Sequence, residues 1–105
     1  MVTGKLVNKT TGASEDSSSS RYNEYTVEET WTLYADGYNA SKTAKSGGVT
    51  YFDAADTYLG YDTLGEDSYG VSFEGELLTV PAGTTTVKVL SSTGKKDPAL
   101  YRETT

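Results

Sequence analysis

Tyrosine and carboxylate are the side chains through which this sequence can act on another molecule. Tyr34, Tyr38, Tyr58, Tyr61 and Tyr69 fall in or beside segments that read as turns, where a ring keeps one face in water. A phenol ring offers apolar area to the C–H face of a sugar and a hydroxyl to its polar edge, at low side-chain entropy cost. The same rings have a structural use: tyrosine can fill a core short of phenylalanine with its hydroxyl reaching the surface, or pack against a neighbouring subunit. Asp62 follows Tyr61 directly and completes a candidate binding set of Tyr34, Tyr38, Tyr58, Tyr61, Tyr69 and Asp62. Trp31 lies on an alternating face and reads as core.

Asp53, Asp56, Asp62, Glu66 and Asp67 crowd one stretch of chain, and hard oxygen ligands on adjacent loops are what Ca²⁺ requires. The spacing is not that of an EF-hand, and loop acids ordinarily form solvated turns, so calcium is the minor reading and no cofactor is expected. Two of these acids facing each other across a cleft, about 5 to 10 Å apart, would make a glycosidase pair. A domain this small has little room for such a cleft, so the expectation is a chain that is not an enzyme. With no His and no Cys there is no imidazole base, no thiolate and no disulfide, and Ser17–Ser20 lies in no Gly-x-Ser-x-Gly elbow. Asn8-Lys9-Thr10 and Asn39-Ala40-Ser41 match the glycosylation acceptor pattern, a three-residue match that arises readily by chance.

A net charge of −6 over 105 residues repels phosphate backbones and anionic lipid heads, so no nucleic-acid partner is expected. Met1-Val-Thr-Gly-Lys opens without the basic start and apolar run of a signal peptide, and no stretch is long and apolar enough for a membrane span. One domain of this length buries about two thirds of the surface its unfolded chain exposes. Its core has to draw on Val, Leu and aromatic rings, because only 35% of the residues are hydrophobic and nine of those are Tyr.

The elements that must hold the candidate side chains alternate with period two. Tyr25 pairs with Val27 on one face, Trp31 with Leu33 and Ala35, and Val49 with Tyr51, opposite Thr50 and Phe52. Val71 and Phe73, Leu78 and Val80, then Val87 and Val89 about an outward Lys88, and finally Leu100 continue the pattern. Turn signals stand between them at 35–37, 46–48, 53–56, 74–75, 81–83 and 93–94. Residues 1–20 read as a short strand around Leu6 followed by a flexible, Ser-rich arm, and 21–105 as the folded domain. Ala40–Lys45 has room for a helical turn at most. The expected class is all-β: a two-sheet antiparallel β-sandwich, jelly-roll or immunoglobulin-like, of seven or eight short strands.

Tyr51-Phe52-Asp53, the turn Ala54-Ala55-Asp56, the departing Thr57-Tyr58-Leu59-Gly60, the Thr79-Val80-Pro81-Ala82-Gly83 stretch and Val87-Lys88-Val89 together resemble a module recurrent in bacteriophage tail and receptor-binding proteins. Upstream, Tyr25-Thr26-Val27 sits where such modules have the strand entering the sandwich, and where they commonly have a Gly after it this chain has Glu28-Glu29-Thr30. The resemblance implies a lectin-like sandwich on the phage particle surface, in a tail fibre, spike or baseplate. Its partners would be other virion proteins and host-surface saccharide, in an oligomer such as a trimer. Two other settings fit the same residues: a capsid decoration or head-fibre protein docked on neighbouring subunits, and a bacterial surface immunoglobulin-like module stapled by a Lys–Asn or Lys–Asp isopeptide bond.

Overall fold

Period-two alternation becomes eight strands in the computed structural model, which describes residues 1–8, 11–28, 30–39, 48–62 and 70–103. They are β1 (Val2–Val7), β2 (Ser14–Thr26), β3 (Leu33–Asn39), β4 (Val49–Phe52), β5 (Tyr58–Asp62), β6 (Val71–Leu77), β7 (Thr86–Ser92) and β8 (Ala99–Arg102). Every pairing is antiparallel, in a five-stranded sheet ordered β1-β2-β7-β4-β5 and a three-stranded sheet ordered β6-β3-β8. The fold is thus the all-β two-sheet sandwich that the alternation implies. Among the described residues no helix is long and apolar enough to cross a membrane.

The main core lies between the sheets. Val49 and Tyr51 of β4 and Val87 and Val89 of β7 face Leu33 and Ala35 of β3 and Phe73 of β6, with Val27 and Leu78 closing the ends. Tyr25, Trp31, Leu59, Val80 and Leu100 pack around it half-buried, so Trp31 lines the core as expected, with Arg102 4.0 Å above its ring. The sheets approach closely at Gly37: a Cβ there would stand 2.5 Å from both the Leu90 carbonyl oxygen and the Phe73 ring. No residue larger than glycine fits without displacing backbone.

A second cluster, Val7, Tyr22, Phe52 and Leu90 with Tyr58 against it, lies on the opposite face of the five-stranded sheet. This accounts for β4 and β7 being buried on both faces, as the central strands of a covered sheet are. Lys88, expected to point outward, does leave the inter-sheet core but is only 9% exposed. Its ammonium lies 4.3 Å from the Phe52 ring centroid and 5.6 Å from that of Tyr22, and 3.6 Å from a Glu24 carboxylate oxygen. Wrapping a lysine stem in apolar surface while the charge meets a carboxylate and ring faces is the usual way such a side chain is buried.

Four local expectations are corrected. Residues 35–37 and 74–75 are not turns but the two halves of one bulge between β3 and β6: Ala35 pairs with Glu76 and Gly37 with Phe73, so Asp36 alone faces Glu74 and Gly75. Gly75 supplies the positive φ, and its N–H donates to Asp36 Oδ1 at 2.7 Å. Leu78 and Val80 do not form a strand: β6 ends at Leu77, and Leu78 continues by donating its N–H to the Leu33 carbonyl. The Ser-rich run expected as a loop is strand within β2, where Ser14, Glu15 and Asp16 pair with β1 and Ser20 pairs with β7. Tyr34 and Tyr38 lie within β3 rather than beside a turn. The turns at 53–56, 81–83 and 93–94 form where expected, closed by Asp56 N to Asp53 O, Thr84 N to Pro81 O and Lys95 N to Ser92 O.

Candidate functional site

β3 is the middle strand of the smaller sheet and alternates strictly. Leu33, Ala35 and Gly37 face the core, which turns Tyr34, Asp36 and Tyr38 to the outer face. Register then decides their neighbours. Tyr34 stands directly between Leu77 of β6 and Tyr101 of β8, and directly opposed residues share a face about 5 Å apart. The result is a row of Leu77, Tyr34 and Tyr101 across all three strands, in which Leu77 is 60% and Tyr101 50% exposed. Such a row is more apolar than an ordinary solvated sheet face.

Asp36 anchors this face from below. It is 4% exposed, accepts the Gly75 N–H through Oδ1 and accepts the Tyr101 hydroxyl through Oδ2 at 2.7 Å. The Asp36 hydrogen bond, then partial burial and the negative charges of Asp36 and Glu74, holds the Tyr101 hydroxyl above the ordinary tyrosine range. Lys96 lies 4.0 Å from Asp36 and 3.4 Å from Glu74, and the Lys95 ammonium is 5.4 Å from the Tyr38 ring centroid. Both lysines come from the β7–β8 connection, which crosses from one sheet to the other. The face therefore reads as three rings and a leucine, edged by two ammonium groups and two carboxylates. Among the described residues there is no pocket.

The five described residues of the candidate set do not converge. Tyr34 and Tyr38 share the outer face of the three-stranded sheet. Tyr58 and Tyr61 sit on β5, at an edge of the other sheet: Tyr61 is exposed, while Tyr58 tilts against Phe52 with centroids 5.5 Å apart. Burial, with the charge of Tyr61 second, pushes the Tyr58 hydroxyl up to about 12. Asp62 turns inward, where its carboxylate accepts the buried Tyr51 hydroxyl and the Thr79 N–H, tying β5 to the segment after β6. Burial first, and that hydrogen bond second, drive the Tyr51 hydroxyl far above the ordinary tyrosine range. Tyr69 lies outside the described residues, as do Glu66 and Asp67 of the acidic stretch and the possible turn at 40–45. Asp53 is occupied as a turn former, its Oδ1 accepting the Ala55 and Thr57 N–H groups at 2.9 Å, and the described residues hold no metal-ligating cluster.

No family model, curated protein or solved structure matches this chain. Its function must be argued from the exposed face itself. Leu77, Tyr101, Asp36, Lys95 and Lys96 belong to that face and were not picked out by residue type. One signal was available for Leu77: the Leu77-Leu78 pair breaks alternation, and a strand can bury only one of two consecutive residues in a given core.

Proposed function

We propose that this chain is a non-enzymatic binding module of a bacteriophage virion surface, of the tail-fibre, spike or baseplate kind, which contacts host-surface carbohydrate through the outer face of its three-stranded sheet. The observation that carries the binding reading is the Leu77–Tyr34–Tyr101 row, with the Tyr101 hydroxyl fixed by Asp36. Preset rings give up little entropy when a sugar face stacks on them. Glu74, Lys95 and Lys96 stand where hydroxyls at the edge of a sugar would need partners. An open sheet face suits contact along an extended saccharide. The phage setting draws its support from the resemblance of residues 47–90 to tail and receptor-binding modules.

Titrating bacterial polysaccharide into isotope-labelled protein tests this. The ring resonances of Tyr34, Tyr38 and Tyr101 should move together while those of Tyr58 stay still, and unmoved rings at millimolar sugar would overturn the saccharide reading. The exposure of Leu77 favours a second reading, in which the same face docks on a neighbouring virion subunit as in a decoration or head-fibre protein. An oligomer in solution that Leu77→Asp dissolves, or binding to empty capsids, would support that reading instead.

A further inference from the structure

The β1–β2 hairpin consists of two differently directed halves joined at one irregularity. In the inner half, Val2 pairs with Tyr22 and Thr3 with Arg21; in the outer half, Lys5 pairs with Asp16, Leu6 with Glu15 and Val7 with Ser14. Between them Gly4 alone faces the four residues Ser17–Ser20, and Gly4 takes φ +76°, which a side chain would resist. A surplus on one strand bends a ladder. Here the bend lays the outer half across the outer face of the five-stranded sheet, with Val7 buried among Tyr22, Phe52 and Leu90. Gly12, in the connection beyond, rests on Tyr58: a Cβ there would stand 2.5 Å from the ring.

Contacts within the outer half help to order it. Asn8 N donates to Ala13 O at 2.8 Å, Gly12 N to Asn8 O at 2.6 Å and Asn8 Nδ2 to Glu15 Oε2 at 2.9 Å, and Lys5 pairs with Asp16. Val7 and the seat of Gly12 on Tyr58 bind it to the sheet. The inner boundary is fixed differently: the Ser19 carbonyl accepts the Thr93 N–H at 2.9 Å and Ser20 pairs with Ser92 of β7. Movement that begins just before Ser19 therefore leaves the ladders of the five-stranded sheet intact.

We propose that the outer half of this hairpin is a flap, hinged at Gly4 and Ser17–Ser18, that lifts as a unit from an otherwise folded sandwich and uncovers an aromatic surface of Phe52, Tyr58 and Tyr22 about the Lys88 ammonium. The flap keeps its own hydrogen bonds while open and releases apolar contact. Such segments belong to the low-stability end of a structure, from which binding elements that move are drawn.

Acetylation of lysine amines in the full-length protein, followed site by site by mass spectrometry, tests this with exposed Lys5 as the internal reference. In the unaltered chain Lys88 should react far more slowly than Lys5. Gly12→Val, which puts bulk against the Tyr58 ring, should speed Lys88 at least about tenfold, as when an open state rises from about 1% to 10%, with the circular dichroism of the sandwich retained. Val7→Ser removes the apolar plug without adding bulk and should have the same effect, so the test stands if Gly12→Val fails to fold. Equal rates at Lys88 and Lys5 in the unaltered chain would overturn the proposal. So would a Lys88 rate unmoved by Val7→Ser, or one that rises only where the whole domain melts.

Discussion

The two outer faces of the sandwich are written in the same alphabet and end differently. On the five-stranded sheet the outward positions carry Tyr22, Thr50, Phe52, Lys88 and Leu90, and the chain's own hairpin covers that face, leaving Phe52 and Leu90 buried. On the three-stranded sheet they carry Tyr34, Tyr38, Leu77 and Tyr101, with Leu77 and Tyr101 open to water. Both faces set a lysine against a ring, Lys88 over Phe52 and Lys95 over Tyr38. The difference lies in cover, and it shows what aromatic residues on a sheet's outer face require. An intramolecular lid satisfies them on one side, which marks the uncovered side as the one to test for an external partner.

The largest expected effect comes from destroying the ground both faces share. Gly37→Ala places a Cβ 2.5 Å from the Leu90 carbonyl oxygen, a backbone atom that can move only with β7. The cost should be about 3 kcal/mol, the upper end for overpacking, read as a fall in the urea midpoint. Loss of Lys88 protection and loss of saccharide binding should follow together. A midpoint unchanged within error would mean that the sheets do not meet at Gly37 as described.

A smaller effect separates the faces. Val7→Ala and Leu77→Ala are truncations of similar size, one under the flap and one in the open row. Val7 is fully buried, so its loss should cost roughly 2 kcal/mol, from the apolar area removed plus the cavity left behind. Leu77 is mostly exposed, so its loss should stay within about 0.5 kcal/mol while weakening whatever docks on the row. Chemical denaturation of the two variants side by side measures the contrast, and equal costs would erase the distinction between covered and open faces.

Much of this contrast could be read from the sequence one strand at a time. Alternation identified which residues of β4 and β7 face the core, because Val-x-Val and Val-Thr-Tyr-Phe carry that information locally. It could not say that Leu77, Tyr34 and Tyr101 form one row, since that depends on pairing residues far apart in the chain, and side-chain period says nothing about neighbours. Asp36-Gly37 and Glu74-Gly75 read as turns because Asp and Gly serve bulges and turns through the same backbone freedom. The serine run read as a loop for want of apolar side chains. It is strand because the pairs at its two ends carry it, Ser14–Asp16 with β1 and Ser20 with β7, and small residues suit the bend it makes opposite Gly4. The candidate set mixed the two faces for a related reason: tyrosine looks the same in sequence whether its ring is covered, as at Tyr58, or open, as at Tyr61.

The subtlest test asks why a tyrosine on each face resists ionisation. Tyr58 is pushed up to about 12 chiefly by burial, and Tyr101 is raised chiefly by its hydrogen bond to Asp36. Both pKa values are higher in the folded chain than the ordinary value of about 10, so the native state favours the neutral phenol. Stability from these groups is whole below about pH 10 and, for Tyr58, is lost as pH climbs from there through about 12. Ultraviolet titration of the phenolates then separates the causes. Asp36→Asn should bring Tyr101 back toward its ordinary value and leave Tyr58 where it is, because removing a carboxylate from one face does not hydrate the other. Gly12→Val should do the reverse, admitting water to Tyr58 while the Asp36–Tyr101 bond persists. If either substitution moved both tyrosines together, the two faces would be coupled through the core, and the flap could not lift independently of the sandwich.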